Sequence, residues 1–358
     1  MKNLVIFVDS LKRDGAERVS VNLAKYMSLN GTKTTLVTEW VSKNEYDVPN
    51  GVERISLDAH GNKYIGYPKN ILKFRNVLKR LKPDVLLVMD LPGCLLSIPA
   101  AKGLGIKVVV SERNDPTHFP GKKIVASVSR KLMSTADGFV FQTEGAMAFY
   151  NKLVGGRGVI IPNPIFIEDM PEPYVGERKK TIVTAGRLTE QKNQKLLIEA
   201  FANFNVKKKG FTLIIYGEGA LRNDLLQQAL TLGVYDLVFL PGNKKDLLER
   251  IIDASMFVMT SDFEGMPNAL LEAMAIGLPV ISTDCPCGGA RAVIDNNING
   301  ILIPVGDSSA CADAMLQIAG DNNLLNKLSY NAVKIRERLD SNVIANRWKD
   351  YLEYIERN

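Results

Sequence analysis

Short apolar runs alternate with helical segments along the whole chain. In the first half, apolar runs lie at 3–8, 34–38, 85–89, 107–111, 138–142 and 158–162. In the second half, they lie near 181–185, 211–216, 237–240, 256–260 and 279–282. Runs of this length predict buried strands, and their alternation with helices is typical of parallel sheets. The pattern therefore predicts an α/β fold with two doubly wound halves.

A turn-rich segment separates the two halves. Asn163-Pro164 and the Pro- and Glu-containing stretch up to Gly176 have the composition of a linker. The chain of 358 residues is long enough for about two domains that each bury a core. We predict a first domain at 1–165 and a second at 166–340.

Two carboxylates, Glu264 and Glu272, flank a Gly-x-Pro turn after the apolar run 256–260. Pro267 fits the first position of a helix, where its missing N–H costs nothing. Glu264 is then expected in the loop at the carboxyl end of a strand, where open α/β sheets bind ligands. A helix N-terminus favours a phosphate, and carboxylates accept hydrogen bonds from hydroxyls, so a nucleotide-sugar suits this segment. The alternative is that both carboxylates are solvated surface groups.

Two cations follow the strand predicted at 181–185. Arg187 and Lys192 flank the turn after Gly186, just before a segment with helical periodicity. A helix start is a poor place for cations because of the helix dipole. A guanidinium and an ammonium are instead suited to clamp a pyrophosphate, with two solvated cations as the alternative.

Three blocks together carry a family resemblance: the run 186–193, the Glu-x7-Glu pair at 264 and 272, and Asp14-Gly-Ala-Glu-Arg18. Their order and spacing resemble retaining glycosyltransferases of the GT-B fold, in family GT4, over nearly the whole chain. The resemblance implies two Rossmann-like domains facing each other across a cleft. It also implies that the second domain holds most of the nucleotide-sugar, the first holds most of the acceptor, and the last helix, at 341–358, packs back on the first domain.

The resemblance also assigns roles to single residues. The catalytic residues would be Glu264, Arg187 and Lys192. The donor-binding residues would be Gly15, Gly186, Gly217, Glu218, Gly242, Asn243, Gly265, Met266, Asn268, Ala269, Leu270 and Glu272. The acceptor-binding residues would be Glu17, Arg18, Arg113, Asn114 and His118. Gly15 is also explained as a turn glycine, and Glu17 and Arg18 as an ordinary first-turn pair.

Two segments bear on the kind of acceptor and depart from the family pattern. Ser111–Pro116 and Asp284–Gly289 are similar to bacterial enzymes that build lipid-linked oligosaccharides, O-antigens or capsules. Many relatives have a His where this chain has Arg113. Many also have Pro-Glu where this chain has Ala290-Arg291, so Arg291 is either a phosphate ligand or a helix-start cation.

The resemblance predicts a retaining transferase that moves a hexosyl or N-acetylhexosaminyl group from a nucleoside diphosphate. The expected nucleoside diphosphate is UDP. The expected acceptor is a sugar hydroxyl of a lipid-linked or surface-polysaccharide glycan. Neither a metal nor a cofactor is needed to explain this reaction. The alternatives are a nucleotide-sugar epimerase or phosphorylase on the same architecture, and a non-catalytic nucleotide-sugar binding protein.

Charge is divided unevenly between the halves. Residues 1–165 hold 24 Lys and Arg against 14 Asp and Glu, whereas residues 166–358 hold 21 against 25. Cations cluster on two predicted helices of the first half. They are Lys69, Lys73, Arg75, Lys79, Arg80 and Lys82, and then Lys122, Lys123, Arg130 and Lys131. Such helices suit an anionic membrane surface or are ordinary solvated faces. Nucleic acid is not expected, because no binding motif or interleaved aromatics accompany the charge.

Cysteine use and hydropathy bear on the compartment. The four Cys lack the paired spacing of a metal site, and the sequence shows no secretory signal. Both features predict a reduced, cytoplasmic protein. The longest uncharged apolar stretch, 91–101, contains two prolines and is far shorter than the roughly 20 residues of a spanning helix. Any contact with a membrane is therefore expected from one side, at the inner face of the cytoplasmic membrane.

Overall fold

The computed structural model describes residues 1–12, 15–58, 63–119 and 122–358, without the side chains of 63–65. These residues form two compact units. The first unit is Met1–Pro164 with Asn342–Asn358, and the second is Ile165–Ser341. The chain thus passes from one unit to the other at Pro164, within one residue of the predicted boundary.

The first unit is built on a parallel sheet. Its strands are β1 (Asn3–Val8), β2 (Lys33–Thr38), β3 (Glu53–Ser56), β4 (Val85–Val88), β5 (Lys107–Glu112), β6 (Gly138–Phe141) and β7 (Gly158–Ile160). Its helices are α1 (Gly15–Leu29), α2 (Lys63–Leu81), α3 (Cys94–Ala101), α4 (Lys123–Met133) and α5 (Glu144–Val154). The strand order is β3-β2-β1-β4-β5-β6-β7. The order reverses between β1 and β4, which makes their carboxyl ends the switch point of this sheet.

The second unit has a parallel sheet of the same kind. Its strands are β8 (Lys179–Ala185), β9 (Thr212–Tyr216), β10 (Val238–Phe239), β11 (Ala254–Met259), β12 (Val280–Thr283) and β13 (Ile301–Ile303). Its helices are α6 (Gln194–Lys207), α7 (Arg222–Thr231), α8 (Leu247–Ile251), α9 (Asn268–Ala275), α10 (Ser308–Gly320), α11 (Asn322–Ala332) and α12 (Ile335–Arg338). The order β10-β9-β8-β11-β12-β13 reverses between β8 and β11.

The prediction of two Rossmann-like α/β halves is confirmed, with three local corrections. The edge strand β3 was missed because its residues are only partly buried and include Glu53 and Arg54. Strand β13 was missed because its apolar run is cut off by Pro304 after three residues. The first helix, predicted at Val19–Leu29, is α1 and begins at Gly15, so Gly15, Glu17 and Arg18 belong to its first turn. Glu17 there complements the positive end of the helix dipole.

The last helix, α13 (Ser341–Arg357), packs within the first unit. Trp348, Leu352 and Ile355 on one face are buried. The Tyr351 hydroxyl accepts a hydrogen bond of 2.8 Å from the Phe139 N–H at the start of β6. These contacts explain why the chain returns to the first unit after it completes the second.

The uncharged stretch 91–101 contains α3, a helix of eight residues. Cys94, Leu96, Ala100 and Ala101 on it are buried. In the described parts of the chain, no helix combines the length and the apolar character needed to cross a membrane.

Candidate active site

The loops after β8 and β11 are joined by hydrogen bonds at the switch point of the second sheet. The Asp262 N–H donates to the Gln191 carbonyl over 2.9 Å. The Gln191 side-chain amide donates to the Phe263 carbonyl over 3.0 Å, and the Asn193 amide donates to Asp262 Oδ1 over 2.7 Å. Ligands bind at such switch points in open α/β sheets. The bonded loops therefore form one platform at the expected position.

Lys192 and Glu264 form an ion pair on this platform. Their side chains are 19% and 10% exposed, respectively. The structure thus brings together two residues that the sequence analysis took from separate motifs. The ammonium has three N–H donors, so one bond to Glu264 leaves capacity for a ligand.

Asn193 follows Lys192 and caps helix α6. It has a φ of +44°, and its side-chain oxygen caps α6 by accepting from the Leu196 N–H. The Thr260 hydroxyl also donates to the Asn193 carbonyl over 2.9 Å. Asn tolerates the left-handed conformation better than most residues. Asn193 lies in the run 186–193 and was not predicted to have a role of its own, although an Asn before a helical run is a capping signal.

Arg187 has a fixed backbone and an exposed side chain. Its carbonyl accepts a hydrogen bond of 2.9 Å from the Gln194 side-chain amide. Its guanidinium forms no hydrogen bond or ion pair with any residue that the structure describes. This cation beside the Lys192–Glu264 pair is therefore available to an anionic ligand.

The Gly-x-Gly element after β9 packs against the loop after β8. Gly217 has a φ of +140°, and a Cβ there would lie 1.9 Å from the Gly186 carbonyl oxygen. A Cβ at Gly219 would lie 2.3 Å from the Leu188 carbonyl oxygen. Both glycines are thus explained by close backbone approach. The exposed Glu218 between them is directed away from the core.

The loop after β10 lies beside Gly217 and Glu218. The Gly217 N–H donates to the Gly242 carbonyl over 3.3 Å. Gly242 has a φ of +76°, and a Cβ there would lie 2.3 Å from Glu218 Oε1. Asn243 is exposed. The predicted donor-binding glycines of three loops are thus adjacent, with Glu218 and Asn243 open to solvent.

Helix α9 begins one residue later than predicted. Pro267 is its N-cap, with an extended ψ of 113°, and its carbonyl accepts from the Leu270 and Leu271 N–H groups. The placement of Pro267 at the first helical position was therefore wrong. A proline N-cap still leaves the first-turn N–H groups of the helix directed at the loop.

The predicted donor-binding residues around α9 fall into two groups. Met266 and Leu270 have buried side chains, so only their backbone groups can meet a ligand. Asn268, Ala269 and Glu272 are partly exposed. Glu272 lies on the second turn of α9, as expected.

Gly289 is a site residue that sequence reasoning missed. A Cβ at Gly289 would lie 1.6 Å from the carbonyl oxygen of Gly265. The loop after β12 therefore lies directly against the turn that carries Glu264. The adjacent pair Gly288-Gly289 was the available signal, because paired glycines mark close backbone approach.

Arg291 is engaged by a carboxylate. Its Nε and Nη2 donate to Oδ1 and Oδ2 of Asp284 over 2.8 and 2.7 Å. It lies in a turn, so the alternative of a helix-start cation was wrong. The bidentate pair holds Arg291 to its own loop.

The predicted acceptor residues on α1 lie near the switch point of the first sheet. Asp9 follows β1, and Asp90 follows β4 after one residue. Glu17 on α1 is buried, whereas Gly15 and Arg18 are partly exposed. The carboxyl ends of β1 and β4 are therefore followed by Asp9 and Asp90, respectively.

The predicted acceptor residues after β5 differ in environment. Arg113 is 7% exposed and donates from Nη2 to Asn163 Oδ1, which also accepts from the Gln142 amide. Asn114 and His118 are exposed. The His118 ring contacts the Thr117 hydroxyl at 2.8 Å. The structure therefore separates a buried Arg113 from two solvent-facing neighbours.

A small depression open to solvent lies beside this segment. Its polar lining includes Glu112, Asn114 and Asp115, and its apolar lining includes Leu91 and Phe119. Burial raises the pKa of the Glu112 carboxyl, although hydrogen bonds from the Asn114 N–H and a tyrosine hydroxyl oppose this effect. The depression thus combines hydrogen-bond acceptors with an apolar wall.

The basic helix α2 uses two of its cations within the fold. Lys73 Nζ donates to the Leu57 carbonyl over 2.6 Å, and Arg75 Nη1 donates to the Lys102 carbonyl over 2.6 Å. Among the described side chains of the helix, the other exposed cations are Lys69, Lys79 and Arg80. Leu72 lies among them and is 62% exposed. In the part of α2 whose side chains the structure describes, the exposed face therefore carries these cations together with the apolar Leu72.

Comparison with known proteins agrees with this architecture. Residues 13–169 match the family described as Glycosyltransferase Family 4, and residues 166–335 match Glycosyl transferases group 1. The chain is 26% identical over 376 residues to the Campylobacter jejuni N-acetylgalactosamine-N,N'-diacetylbacillosaminyl-diphospho-undecaprenol 4-alpha-N-acetylgalactosaminyltransferase, covering 99% of this chain and 100% of that protein.

Two solved structures share the fold over nearly the whole chain. The apo lipopolysaccharide outer core galactosyltransferase WaaB has a TM-score of 0.81 at 20% identity, with 99% of each chain covered. Anabaena HepE in complex with UDP has a TM-score of 0.83 at 19% identity, covering 99% of this chain and 100% of that one. The chain has the GT-B fold and belongs to the group 1 glycosyltransferases of family 4. The predicted family is thereby confirmed.

Proposed function

We propose that this glycosyltransferase moves a hexosyl or N-acetylhexosaminyl group from a UDP-sugar to a sugar hydroxyl of a lipid-linked or surface-polysaccharide acceptor, with retention at the anomeric carbon. The observation that carries the proposal is the Lys192–Glu264 pair at the switch point between β8 and β11, beside Arg187, whose guanidinium has no partner among the described residues. Two cations beside a helix N-terminus suit a diphosphate, and a fixed carboxylate suits sugar hydroxyls.

The charges of the site match the charge that develops during transfer. The acceptor oxygen forms a bond to the anomeric carbon while the bond from that carbon to the diphosphate oxygen breaks. Arg187, Lys192 and the first turn of α9 would stabilise the negative charge on the departing diphosphate. In the front-side reaction that the family resemblance implies, a donor phosphate oxygen takes the acceptor proton. Because two protein cations supply the positive charge, the reaction as proposed is metal-independent.

The carboxylates have separate roles in this proposal. Glu264, fixed by Lys192, would orient the transferred sugar. Glu272, partly exposed on α9, would accept hydrogen bonds from the ribose hydroxyls. Their positions before and within the same helix would suit a sugar at one end of the diphosphate and a nucleoside at the other.

Two relatives support the donor and acceptor classes. HepE was solved with UDP, which supports a uridine donor. The Campylobacter jejuni relative is named for an undecaprenol diphosphate acceptor, which supports a lipid-linked glycan. An epimerase is less well supported, since neither histidine of the chain lies in the second unit, where the donor site is proposed.

We also propose that the first unit contacts an anionic membrane from the cytoplasmic side. Helices α2 and α4 contain no acidic residue. Besides Leu72 on α2, Ile124 and Val128 on α4 are exposed, at 70% and 46%. Exposed cations with interspersed apolar side chains suit the boundary of an anionic bilayer.

The proposal is tested by mass spectrometry of products from lipid-linked acceptors incubated with a panel of nucleotide-sugars. A product heavier by one hexosyl or N-acetylhexosaminyl group is expected with UDP-sugars, with and without EDTA. The anomeric configuration, read by NMR, should match that of the donor. Isomerisation of the donor without acceptor would indicate an epimerase, and tight UDP binding without turnover would indicate a binding protein.

A further inference from the structure

The backbone carbonyl of Ser261 is held by two side chains from the neighbouring strand. Ser261 follows β11 after one residue and is fully buried. Its carbonyl oxygen accepts a hydrogen bond of 2.6 Å from the Thr283 hydroxyl and one of 3.2 Å from the Cys285 thiol. Thr283 is the last residue of β12, and Cys285 follows it after one residue. A carbonyl oxygen has two lone pairs, so it can accept from both donors.

These two bonds extend the connection between β11 and β12 beyond their backbone pairing. The register of the two strands ends at the pair Met259 and Ser282, so Ser261 lies past the ladder. Thr283 and Cys285 are both buried at this point. A buried carbonyl requires one hydrogen-bond donor, and this one has two. The second donor is therefore more than burial demands.

The segment after β12 contacts the chain on both sides of Glu264. Ser261, which it holds by hydrogen bonds, lies three residues before Glu264. Gly265 follows Glu264, and its carbonyl oxygen lies directly against Gly289. The loop after β8 is bonded to the same segment through its own hydrogen bonds. The turn that carries the carboxylate is thus supported from two neighbouring strands.

We propose that Thr283 and Cys285 are positioning residues, which fix the Ser261 carbonyl and thereby hold the Glu264 carboxylate in place for the transferred sugar. The inference rests on the proposed function, in which Glu264 orients that sugar. A side chain that contacts a substrate is held in productive geometry by the hydrogen bonds of the residues behind it. Because a thiol is a weak donor, the Thr283 hydroxyl should contribute more than the Cys285 thiol.

Steady-state kinetics with a UDP-sugar and calorimetric titration of UDP test the inference. The variants are Thr283→Val, Cys285→Ala and the double variant. Each single substitution should lower kcat by less than about threefold, because one donor still holds the carbonyl, whereas the double variant should lose about tenfold or more. The KM for the donor and the Kd for UDP should stay unchanged. Thr283→Ser and Cys285→Ser should retain wild-type kcat, because each keeps a donor.

Ser255 provides the matched control for a hydroxyl. It donates to the Lys179 carbonyl over 2.7 Å, which is the same kind of bond at the opposite end of β11. Cys311, buried on α10, is the control for a thiol. Ser255→Ala and Cys311→Ala should lower the Tm, as the Thr283 and Cys285 variants do, and leave kcat unchanged. A loss of kcat confined to the second set separates positioning from stability.

A double-mutant cycle tests positioning without ligand or turnover. The coupling energy between Lys192 and Glu264 is measured from Lys192→Met and Glu264→Gln by urea unfolding. The cycle is repeated in the Thr283→Val/Cys285→Ala background and in the Ser255→Ala background. The coupling should fall by half or more in the first background, because the carboxylate is no longer held against its partner. It should be unchanged in the second.

Three outcomes would overturn the inference. They are a double variant with wild-type kcat, an equal loss of kcat in Ser255→Ala, and a Lys192–Glu264 coupling that is absent in the wild type or unchanged in the double variant. If the double variant does not fold, Thr283→Val decides, and it must lower both kcat and the coupling where Thr283→Ser and Ser255→Ala do not. If the wild type transfers no sugar, the proposed function is refuted, and the ligand-free cycle alone decides whether Thr283 and Cys285 position Glu264.

Discussion

Lys192 and Glu264 are 72 positions apart in the chain and form an ion pair where the loops after β8 and β11 meet. The pair joins two halves of the candidate site that come from different strands. Because both side chains are largely buried, removal of one leaves the other charge without its partner. The two residues therefore act as a unit, and single substitutions at either position measure more than one lost contact.

A double-mutant cycle should reveal this coupling. We expect Lys192→Met and Glu264→Gln to be non-additive in the free energy of unfolding, by about 0.5–3 kcal/mol. The exposed pair Lys195–Glu190 is the control, for which we expect about 0–1 kcal/mol. Denaturant unfolding of the four proteins in each cycle gives both numbers. Additive effects at Lys192 and Glu264 would mean that the pair has no energetic role.

Arg187 offers the cleaner test of charge stabilisation during transfer. Its guanidinium is exposed, so Arg187→Ala should leave the Tm unchanged. We expect kcat/KM to fall by the equivalent of about 2–4 kcal/mol, the scale of losing one preorganised donor. Lys192→Ala should lose a similar amount, together with stability. Near-wild-type turnover by Arg187→Ala at saturating donor would exclude Arg187 from the phosphate site.

The two carboxylates should differ in the kinetic constant that they affect. Glu272→Gln should raise the KM for the donor by weakening ribose binding. Glu264→Gln should lower kcat, if its contacts tighten as the sugar gains positive charge. Steady-state kinetics with varied donor separates the two effects. Small and equal changes in kcat and KM from both substitutions would indicate that Glu264 and Glu272 are solvated surface groups without a role in the reaction.

Much of this architecture follows from the sequence because the central strands of each sheet are buried on both faces and form continuous apolar runs. The runs before Asp9, Gly186 and Thr260 locate the strand ends, and hence the switch points. Strand β3, half-exposed at the sheet edge, has no such run. Central strands are therefore easier to predict from the sequence than strands at the edge of a sheet.

The tertiary partners of the site residues could not be predicted in the same way. Arg187 and Lys192 are both cations of the same sequence motif. Arg187 is nevertheless exposed, whereas Lys192 is paired with Glu264. Arg113 is likewise indistinguishable in sequence from a surface arginine, although its partner Asn163 lies in a distant loop. Sequence spacing places residues at strand ends, but burial and pairing depend on contacts between loops.

The buried carboxyl of Asp90, after β4, predicts that the free energy of unfolding depends on pH. Burial, and then the charge of Asp9, raise the pKa of Asp90 from its ordinary value of 3.8 to about 7. Between pH 3.8 and about pH 7, the Asp90 carboxyl is protonated in the folded state and ionised in the unfolded state. The contribution of Asp90 to the free energy of unfolding is therefore fully present below pH 3.8 and lost as the pH rises through about 7.

Unfolding experiments from pH 4 to pH 8 check this sign. We expect the stability of the wild type relative to Asp90→Asn to decrease as the pH rises. Asp313→Asn, which changes an exposed carboxylate on α10, should show no such trend. A difference between wild type and Asp90→Asn that is flat or rises with pH would contradict the prediction.

The exposed face of α2 predicts salt-dependent membrane binding. Lys73 and Arg75 bond backbone carbonyls, so the test uses Lys69, Lys79 and Arg80. Charge reversal of these three to Glu should release the protein from anionic liposomes, while turnover on a soluble short-chain acceptor stays unchanged. Wild-type binding should fall steeply with salt, because the Debye length shrinks from about 10 Å at 0.1 M to about 3 Å at 1 M.

A matched charge reversal separates a local surface from net charge. Lys207, Lys209 and Lys245 are exposed on the second unit, and their reversal changes the net charge by the same amount. This control should retain liposome binding, since membrane attraction of a cation acts only within about a Debye length of the surface. Substitution of Ile124 by Ser should weaken binding even at high salt, because it removes apolar contact and leaves the charge intact. If wild-type protein ignores anionic liposomes at low salt, or if both charge reversals release it equally, α2 is an ordinary solvated face.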